Sequence, residues 1–126
     1  MNSTVLPGSA HLDTFAFDHL PPREQWPELI FSLPELQYPE RLNCVADLLD
    51  KMCATGHADS IAIRSQTESW TYSHLLTTVN RIAHVLLEDM HLQPGNRVLL
   101  RGANNPMMAA SVLAVIKAGC IAVPTM

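Results

Sequence analysis

The clearest hydrophobic periodicity in the sequence lies between Tyr72 and Met90, where apolar and polar residues gather on opposite sides. Recurrence every three or four residues is typical of an amphipathic helix that packs one side against a core. The apolar side comprises Leu76, Val79, Ile82, Ala83, Leu86, Leu87 and Met90, and the polar side comprises Ser73, Thr77, Asn80, His84, Glu88 and His91. The pattern therefore predicts a helix over 72–90 with a single buried side.

Two further helices and several short strands are predicted around this helix. Asn43 can cap a helix over 43–54 that ends at Gly56. The apolar residues of this helix are Val45, Leu48, Leu49 and Met52. Asn105 caps a strongly apolar helix over 106–119. Short apolar and β-branched runs predict strands at 60–64, 69–71, 97–101 and 120–124, and the first two are expected to pair as a hairpin.

Helices that alternate with strands through short links predict an α/β fold built from βα units. The helix over 106–119 is apolar almost all round, and the strands before and after it lack polar alternation. Such elements are expected to have neighbours on both faces. Because residues 42–126 supply too few of them, we expect an incomplete α/β portion with a partial parallel sheet and an open edge after Val123. The methionines expected in the core are Met90, Met107, Met108 and Met126.

A proline-rich segment precedes this portion. Six of the nine prolines fall in the first 39 residues, and each removes a backbone donor and drives its predecessor toward extended geometry. The segment carries too many apolar residues for a free tail, so we predict an extended arm over 1–41 that lies across a larger body. A disordered leader is the alternative. The apolar residues are Phe15, Phe17, Leu20, Trp26, Leu29, Ile30, Phe31 and Tyr38.

Composition and charge exclude several classes of function. The chain is 48% hydrophobic and 16% charged with a formal net charge of −4, so it lacks the basic field that attracts nucleic acid. Its three cysteines form no CxxC pair, and Cys44 and Cys53 fall on opposite faces of the predicted helix, which fits a reducing cytoplasm. The apolar run from Met107 is broken at Lys117, so no membrane-spanning helix is expected, and residues 1–10 do not form a secretory signal.

Three short motifs in the body resemble the core motifs of the adenylate-forming enzymes. WTYSHL at 70–75 resembles the first motif, which opens a helix, and PGNRV at 94–98 resembles a Pro-Gly-Asp-Arg-Val turn that enters the next strand. IKAGCIAVP at 116–124 resembles the second core motif. The motifs occur in the family's order, and the chain is identified as a member of this superfamily over 42–126. The expected fold is therefore the amino-terminal part of an adenylate-forming ligase large domain, preceded by the arm.

A few motif positions differ from the family's usual residues. The departures are His74 for Glu, Asn96 for Asp, and Cys120 for Gly or another small residue. In the family these positions form the framework and carry no catalysis. The resemblance gives Thr71 the role of a helix cap, Gly95 that of a turn residue, and 117–119 that of a helix end that directs the next strand.

The resemblance implies an ATP-dependent acid–CoA ligase, which uses ATP and Mg²⁺ to convert a small carboxylic acid to an acyl adenylate and passes the acyl group to coenzyme A. HLDTFAFDHLPPREQWPEL at 11–29 and LQYPERLNCVADLLD at 36–50 resemble the leader of the benzoate and 2-aminobenzoate CoA ligases, so an aromatic acid is implied. The family's Ser/Thr/Gly-rich phosphate loop and catalytic lysine follow the second motif and have no counterpart up to Met126. By this resemblance no catalytic, cofactor-binding or metal residue is assigned here.

Other candidate sites are weak when judged from the residues alone. His84 and His91 share a helix face with Glu88, but they are two turns, about 10 Å, apart, too far to share one metal ion. The turn at 102–105 could bind an anion on free helix amides, but its spacing fits a plain capping turn better. The remaining candidates, expected at the surface for the histidines and in the core for the cysteine, are His11, His19 and Cys120.

Two functional hypotheses follow. In the first, the chain is the amino-terminal segment of an acid–CoA ligase, inactive by itself, binding no cofactor alone and dependent on the remainder of the ligase. In the second, it is a non-catalytic α/β unit that pairs with a partner chain through its open sheet edge. Neither hypothesis involves nucleic acid or a membrane.

Overall fold

The structure is a computed structural model that describes residues 8–125. In the arm it has a short helix, α1, at Phe15–Asp18 and single 3₁₀ turns at Arg23–Gln25 and Pro34–Leu36. The body contains β1 Ile61–Arg64, β2 Ser69–Thr71, α2 Tyr72–His84, β3 Arg97–Arg101, α3 Pro106–Lys117 and β4 Ile121–Thr125. The predicted order of helices and strands is confirmed. The part of the arm prediction that concerns residues 1–7 lies outside the described residues, as does Met126.

A helical segment over 44–57 precedes β1. The Oδ1 atom of Asn43 accepts from the amides of Val45 and Ala46 at 3.2 and 3.3 Å, so the predicted cap is confirmed. Wider π-type turns occur at Ala46–Asp50 and Cys53–His57. The predicted stop is also confirmed, because Gly56 has a φ of 91°, which breaks the helical repeat.

Helix α2 buries one side, as its periodicity predicts. Thr71 caps it by accepting from the amide of His74 at 3.1 Å. The residues buried along it and its continuation are Leu75, Val79, Ala83 and Leu86. The predicted polar side is exposed throughout. The prediction was wrong at Leu87 and Met90, which are 38% and 59% exposed, because a π-type turn at Val85–Asp89 adds a residue to the turn and rotates the apolar side away from the core.

The described strands form two separate two-stranded sheets. Strands β1 and β2 pair antiparallel as the predicted hairpin, with a register irregularity between Ile61 and Ile63. Strands β3 and β4 pair parallel from Arg97 opposite Ile121 to Arg101 opposite Thr125, with α3 as the crossover. The predicted βα units and the partial parallel sheet are confirmed.

The core lies between α2 and α3, which pack against each other. Small residues allow this approach: Ala110 and Ala114 are fully buried on α3, opposite a α2 face that contains Val79. The core members are Val45, Leu49, Trp70, Leu75, Val79, Ala83, Leu86, Ala110, Ala114, Val115, Ala118 and Cys120. Cys120 is therefore buried, as predicted. Two of the described methionines predicted in the core, Met90 and Met107, are instead exposed, as is Leu48 of the first helical segment.

The parallel sheet is covered on one face by the described residues. On β3, Val98 and Leu100 are half-buried against the core, whereas Leu99 points the other way and is 69% exposed. Leu99 lies opposite Val123 of β4, which is 38% exposed. The predicted need for neighbours on both faces is therefore met on one face only within 8–125.

The arm leaves most of its apolar side chains exposed. These are Leu12, Phe15, Phe17, Leu20, Leu29, Ile30, Phe31, Leu33 and Tyr38, each at least 39% exposed. Contact with the body is concentrated at the turn before β3, where the amide of Asp13 donates to the carbonyl of Pro94 at 3.0 Å. The division into an arm over 1–41 and an α/β portion over 42–126 stays a prediction. None of the helices in the described part of the chain has the length and apolar character needed to cross a membrane.

Candidate functional site

The turns of the PGNRV and IKAGC motifs meet at the start of the parallel sheet. The amide of Gly95 donates to the carbonyl of Gly119 at 2.8 Å, and the amide of Ile121 donates to the carbonyl of Asn96 at 2.8 Å. Gly95 and Gly119 have φ angles of 94° and 76°, which residues other than glycine rarely adopt. A Cβ atom on Gly119 would also lie 3.3 Å from the Cβ of Pro94. The two motifs therefore act together to set the register of β3 and β4.

Lys117 of the IKAGC motif joins α3 to the first helical segment. Its Nζ atom lies 2.7 and 2.8 Å from the two carboxylate oxygens of Asp50, and its side chain is 18% exposed. The backbone carbonyl of Lys117 accepts from Nδ2 of Asn43 at 2.9 Å, so the residue that caps the first segment also caps the end of α3. Sequence reasoning missed this pair, because the partners are 67 positions apart and no local pattern links them.

Asp13 of the arm binds the side chains that follow Gly95. One carboxylate oxygen, Oδ2, accepts from Nδ2 of Asn96 at 2.9 Å and from the Arg97 guanidinium, and Oδ1 accepts from the amide of Phe15 at 3.1 Å. The Phe15 amide, followed by Arg97 and Asn96, holds the pKa of the Asp13 carboxyl below its ordinary value of 3.8. The sequence contained one indirect signal for this contact, the unusual Asn at 96, but nothing that pointed to Asp13.

A cavity of about 590 Å³ lies between the arm and the parallel sheet. Ala10 and His11 at the start of the arm line it, together with residues 41–44 and the two motif turns. Cys120 is part of this lining, with its Sγ 3.5 Å from the carbonyl of Gln93, and burial raises the pKa of its thiol. The other lining residues are Arg41, Leu42, Asn43, Cys44, Pro94, Ile116, Gly119, Ile121 and Ala122.

A second cavity, of about 570 Å³, is more apolar and lies between the first helical segment, the hairpin and α3. Leu49 and Leu75 of the core line it, as does the polar residue Asn104. The other lining residues are Leu48, Ala62, Ile63, Tyr72, Met108, Ala109, Val112 and Leu113.

The first motif serves the core. Trp70 is 8% exposed, and its Nε1 donates to a carboxylate oxygen of Glu68 at 2.8 Å. Its ring meets the ring of His74 edge-on at a centroid distance of 4.5 Å. His74, which departs from the family's usual Glu, therefore packs on the motif's aromatic residue.

The other candidate residues are dispersed. His84, Glu88 and His91 are exposed, and residues 8–125 contain no group of three or more His, Cys, Asp or Glu side chains that could hold a metal ion. His11 is half-buried beside the first cavity, whereas His19 is exposed, as expected, with its Nδ1 2.7 Å from the carbonyl of Phe15. The histidine at position 11 is thus less exposed than expected.

The turn at 102–105 is a capping turn. The Oδ1 atom of Asn105 accepts from the amide of Met108 at 2.9 Å, and Pro106 occupies the first helical position, where it has no amide to offer. A Cβ atom on Gly102 would lie 2.8 Å from Cε of Met108, so the glycine makes room for that side chain. The predicted cap is confirmed.

The comparisons with known proteins agree on one family. A family described as AMP-binding enzyme matches residues 51–126. Surfactin synthase subunit 1 from Bacillus subtilis strain 168 is 38% identical over 71 residues, which are 56% of this chain. Benzoate–CoA ligase from Thauera aromatica is 30% identical over 88 residues, which are 70% of this chain. The crystal structure of apo MatB from Rhodopseudomonas palustris matches 66% of this chain with a TM-score of 0.60 and 27% identity.

The chain spans a small share of each of these proteins. It covers 2% of surfactin synthase subunit 1, 17% of the benzoate–CoA ligase and 16% of the MatB chain. The match to the family includes all three motifs, and the structural match extends over 66% of this chain. The expected α/β fold class, that of the amino-terminal part of an adenylate-forming ligase, is confirmed.

Proposed function

Because this chain belongs to the AMP-binding enzyme family, we propose that it is the amino-terminal segment of an ATP-dependent acid–CoA ligase. The complete enzyme activates a carboxylic acid as an acyl adenylate, releases pyrophosphate and transfers the acyl group to coenzyme A. The observation that carries the proposal is the family match over 51–126, which contains three motifs in order. In the fold these motifs cap α2, begin β3 and join α3 to β4.

An aromatic acid of the benzoate or 2-aminobenzoate type is the proposed substrate. The support is the likeness to the benzoate–CoA ligase over 70% of this chain and the resemblance of 11–29 and 36–50 to the leader of such ligases.

We also propose that residues 1–41 form an extended arm and that residues 42–126 form an incomplete AMP-binding portion. The proposed partners of the chain are the remainder of the ligase and, for the complete enzyme, a small carboxylic acid. The proposed location is the cytoplasm.

ATP, Mg²⁺ and coenzyme A are the proposed cofactors of the complete enzyme. We do not propose that this chain binds ATP and Mg²⁺ by itself: phosphate charge needs a cationic group beside oriented amides, and the family's phosphate loop with its lysine is expected beyond the second motif. The lysines of this chain are Lys51 and Lys117, and both are paired with aspartates, Asp47 and Asp50. No catalytic, cofactor-binding or metal residue is therefore assigned to this chain, and no step of the reaction is assigned to its side chains.

Pyrophosphate exchange with benzoate, ATP and Mg²⁺ tests the activity of the 126 residues. We expect no exchange above the level of a blank without protein. Robust exchange by the purified chain would show that adenylation does not require further sequence, and the proposal that this segment is inactive alone would be wrong.

The coding sequence beyond codon 126 tests the ligase assignment itself. The proposal requires that the coding sequence continue, in frame or shifted by one reading frame, into a Ser/Thr/Gly-rich loop with a lysine shortly after the IKAGC motif. A polypeptide that includes this continuation should then exchange pyrophosphate faster with benzoate or 2-aminobenzoate than with aliphatic acids or aliphatic amino acids. Unrelated downstream sequence would rule out the ligase assignment, and a preference for an aliphatic acid or amino acid would rule out the aromatic substrate alone.

The second candidate is a non-catalytic α/β unit that works by pairing with a partner chain. The observation that favours it is the apolar pair Leu99 and Val123, which stays exposed on the outer face of the parallel sheet. It predicts that the 126 residues remain folded and bind a defined partner. A chain that folds only when the ligase continuation is supplied would exclude this candidate.

A further inference from the structure

The beginning of the arm touches the body at a glycine that leaves no room for a side chain. A Cβ atom on Gly95 would clash with the carbonyl oxygen of Asp13 and would lie 2.7 Å from the Cβ of His11. The backbone of Asp13 is also held, because its amide donates to the carbonyl of Pro94 at 3.0 Å. The turn therefore contacts the arm backbone directly, and the absence of a side chain at 95 makes this contact possible.

The two residues after Gly95 bind the Asp13 side chain. Nδ2 of Asn96 and the Arg97 guanidinium both donate to Oδ2, so one carboxylate oxygen accepts a hydrogen bond from a side-chain amide and a charge-assisted hydrogen bond from the guanidinium. The Arg97 guanidinium also lies 4.9 Å from the centre of the Phe15 ring. An aspartate at 96 would place a second carboxylate beside Asp13, whereas the amide of Asn96 supplies a donor. The asparagine at this position is therefore matched to the aspartate of the arm.

The same segment forms one side of the larger cavity. Residues 10–15 are called the strap from here on, because they cross from the cavity wall at Ala10 and His11 to the binding turn at 94–97. The lining also includes Cys120, which is 4% exposed. Movement of the strap away from the turn would remove the wall made by Ala10 and His11.

We propose that the 94–97 turn is a docking site for the strap, specified by Gly95, Asn96 and Arg97, and that release of the strap widens access to Cys120 from the 590 Å³ cavity. The docking contact serves the chain's own arm and is independent of the proposed ligase reaction. It gives the PGNRV motif a second role in this chain, since the turn that begins β3 also fixes the position of the arm.

Amide hydrogen exchange of the full 126-residue chain tests the docking, in a buffer with enough sucrose to favour the folded state. In the unaltered chain, the Asp13 amide should exchange at least about tenfold more slowly than in a synthetic peptide of residues 8–20, since a backbone hydrogen bond and a charge-assisted contact both resist opening. Equal exchange rates of the Asp13 amide in the unaltered chain and in the peptide would overturn the proposal.

Substitutions then test which residues specify docking. Asp13→Ala and Asn96→Asp should each raise the exchange rate at Asp13 or its replacement about tenfold, while amides of β3 near Leu99 keep their protection. The double substitution Asp13→Asn with Asn96→Asp should recover part of the protection, because an amide again faces a carboxylate. Glu28→Gln is the matched control, since it removes an exposed arm charge that lies outside the strap. Unchanged exchange in Asn96→Asp, or an equal effect of Glu28→Gln, would contradict the assignment.

Thiol labelling tests the cavity. Strap release in Asp13→Ala should raise the rate of Cys120 alkylation by iodoacetamide about tenfold, whereas Cys53, which does not line this cavity, should react at the rate seen in the unaltered chain. Release of the strap by the exchange criterion with no change at Cys120 would overturn the cavity part of the proposal and leave the docking part standing.

Discussion

Adding a side chain at a glycine with positive φ is expected to cost different amounts of stability in this molecule, depending on what surrounds the glycine. Gly56 and Gly95 have nearly the same φ, 91° and 94°, but nothing lies within 4 Å of a Cβ built on Gly56, whereas one built on Gly95 meets the strap. The comparison separates the cost of backbone strain from the cost of losing a packed contact. Glycine is required at 95 for both reasons and at 56 for the first alone.

Gly95→Ala and Gly56→Ala should therefore differ in unfolding free energy. We expect Gly56→Ala to lower it by about 1 kcal/mol, the usual cost of a left-handed alanine. Gly95→Ala should lower it further and should also remove protection from the Asp13 amide. Urea unfolding in sucrose-containing buffer, combined with amide exchange, measures both effects. Equal losses in the two variants would show that the strap contributes nothing to the cost at 95.

Protonation of Asp13 provides a second prediction at the scale of one residue. Its folded-state pKa lies below 3.8, first because of the Phe15 amide and then because of Arg97 and Asn96. The unfolded chain thus holds the proton more tightly, so the contribution of Asp13 is complete above the unfolded value and is lost as the pH falls through the folded value. A titration of the Asp13 carboxyl carbon by NMR should give a midpoint below 3.8.

Arg97→Gln should raise this midpoint while leaving it below 3.8, because the Phe15 amide remains in place. A midpoint that does not move in Arg97→Gln would show that the guanidinium does not stabilise the carboxylate in solution. A midpoint at or above 3.8 in the unaltered chain would contradict the whole set of contacts around Asp13.

At the scale of the elements, the ion pair of Lys117 and Asp50 holds the first helical segment against α3. A similar pair, Lys51 with Asp47, lies within that segment at 3.2 Å, with side chains 66% and 45% exposed. Exposed pairs four residues apart in a helix contribute about 0.3–0.5 kcal/mol, and the upper end for surface pairs is about 1 kcal/mol. In the other pair the Lys117 side chain is 18% exposed and that of Asp50 is 42% exposed, so we expect this pair nearer the upper end because its lysine is the less exposed one.

Double-mutant cycles should reveal this difference. Replacing Lys117 by Met and Asp50 by Asn, singly and together, should give a coupling energy of about 1 kcal/mol, against about 0.4 kcal/mol for the matched cycle at Lys51 and Asp47. Both cycles are measured by urea unfolding at low salt. A smaller coupling at Lys117 than at Lys51 would mean that the pair does not join α3 to the first segment.

Local signals predicted the elements well because their causes lie within a few residues. The caps at Asn43 and Asn105, the stop at Gly56 and the amphipathic spacing of α2 all act over one or two turns, and each is present in the structure. The exposure of Leu87 was not predictable, because a uniform 3.6-residue repeat cannot anticipate a π-type turn. The contacts that connect distant elements were also out of reach, since Asp13 and Asn96 are separated by 83 positions.

At the scale of the whole molecule, the described chain leaves one face of its parallel sheet uncovered. Leu99 and Val123 lie opposite each other on this face, next to strand edges with free backbone groups. The other face packs on α3 through Val98 and Leu100. A stable separate protein rarely presents an apolar pair beside open edges, because the same groups pair readily with another copy.

We therefore expect the 126-residue chain to be marginally stable and to associate as its concentration rises. Leu99→Lys should reduce association in sedimentation velocity without lowering the unfolding free energy, since the side chain is 69% exposed and a charge on a strand face opposes pairing. Leu100→Lys, one residue along on the packed face, should instead unfold the chain, because it places a charge against the core. A sharp melting transition of the unaltered monomer, independent of concentration, would mean that the uncovered face needs no partner.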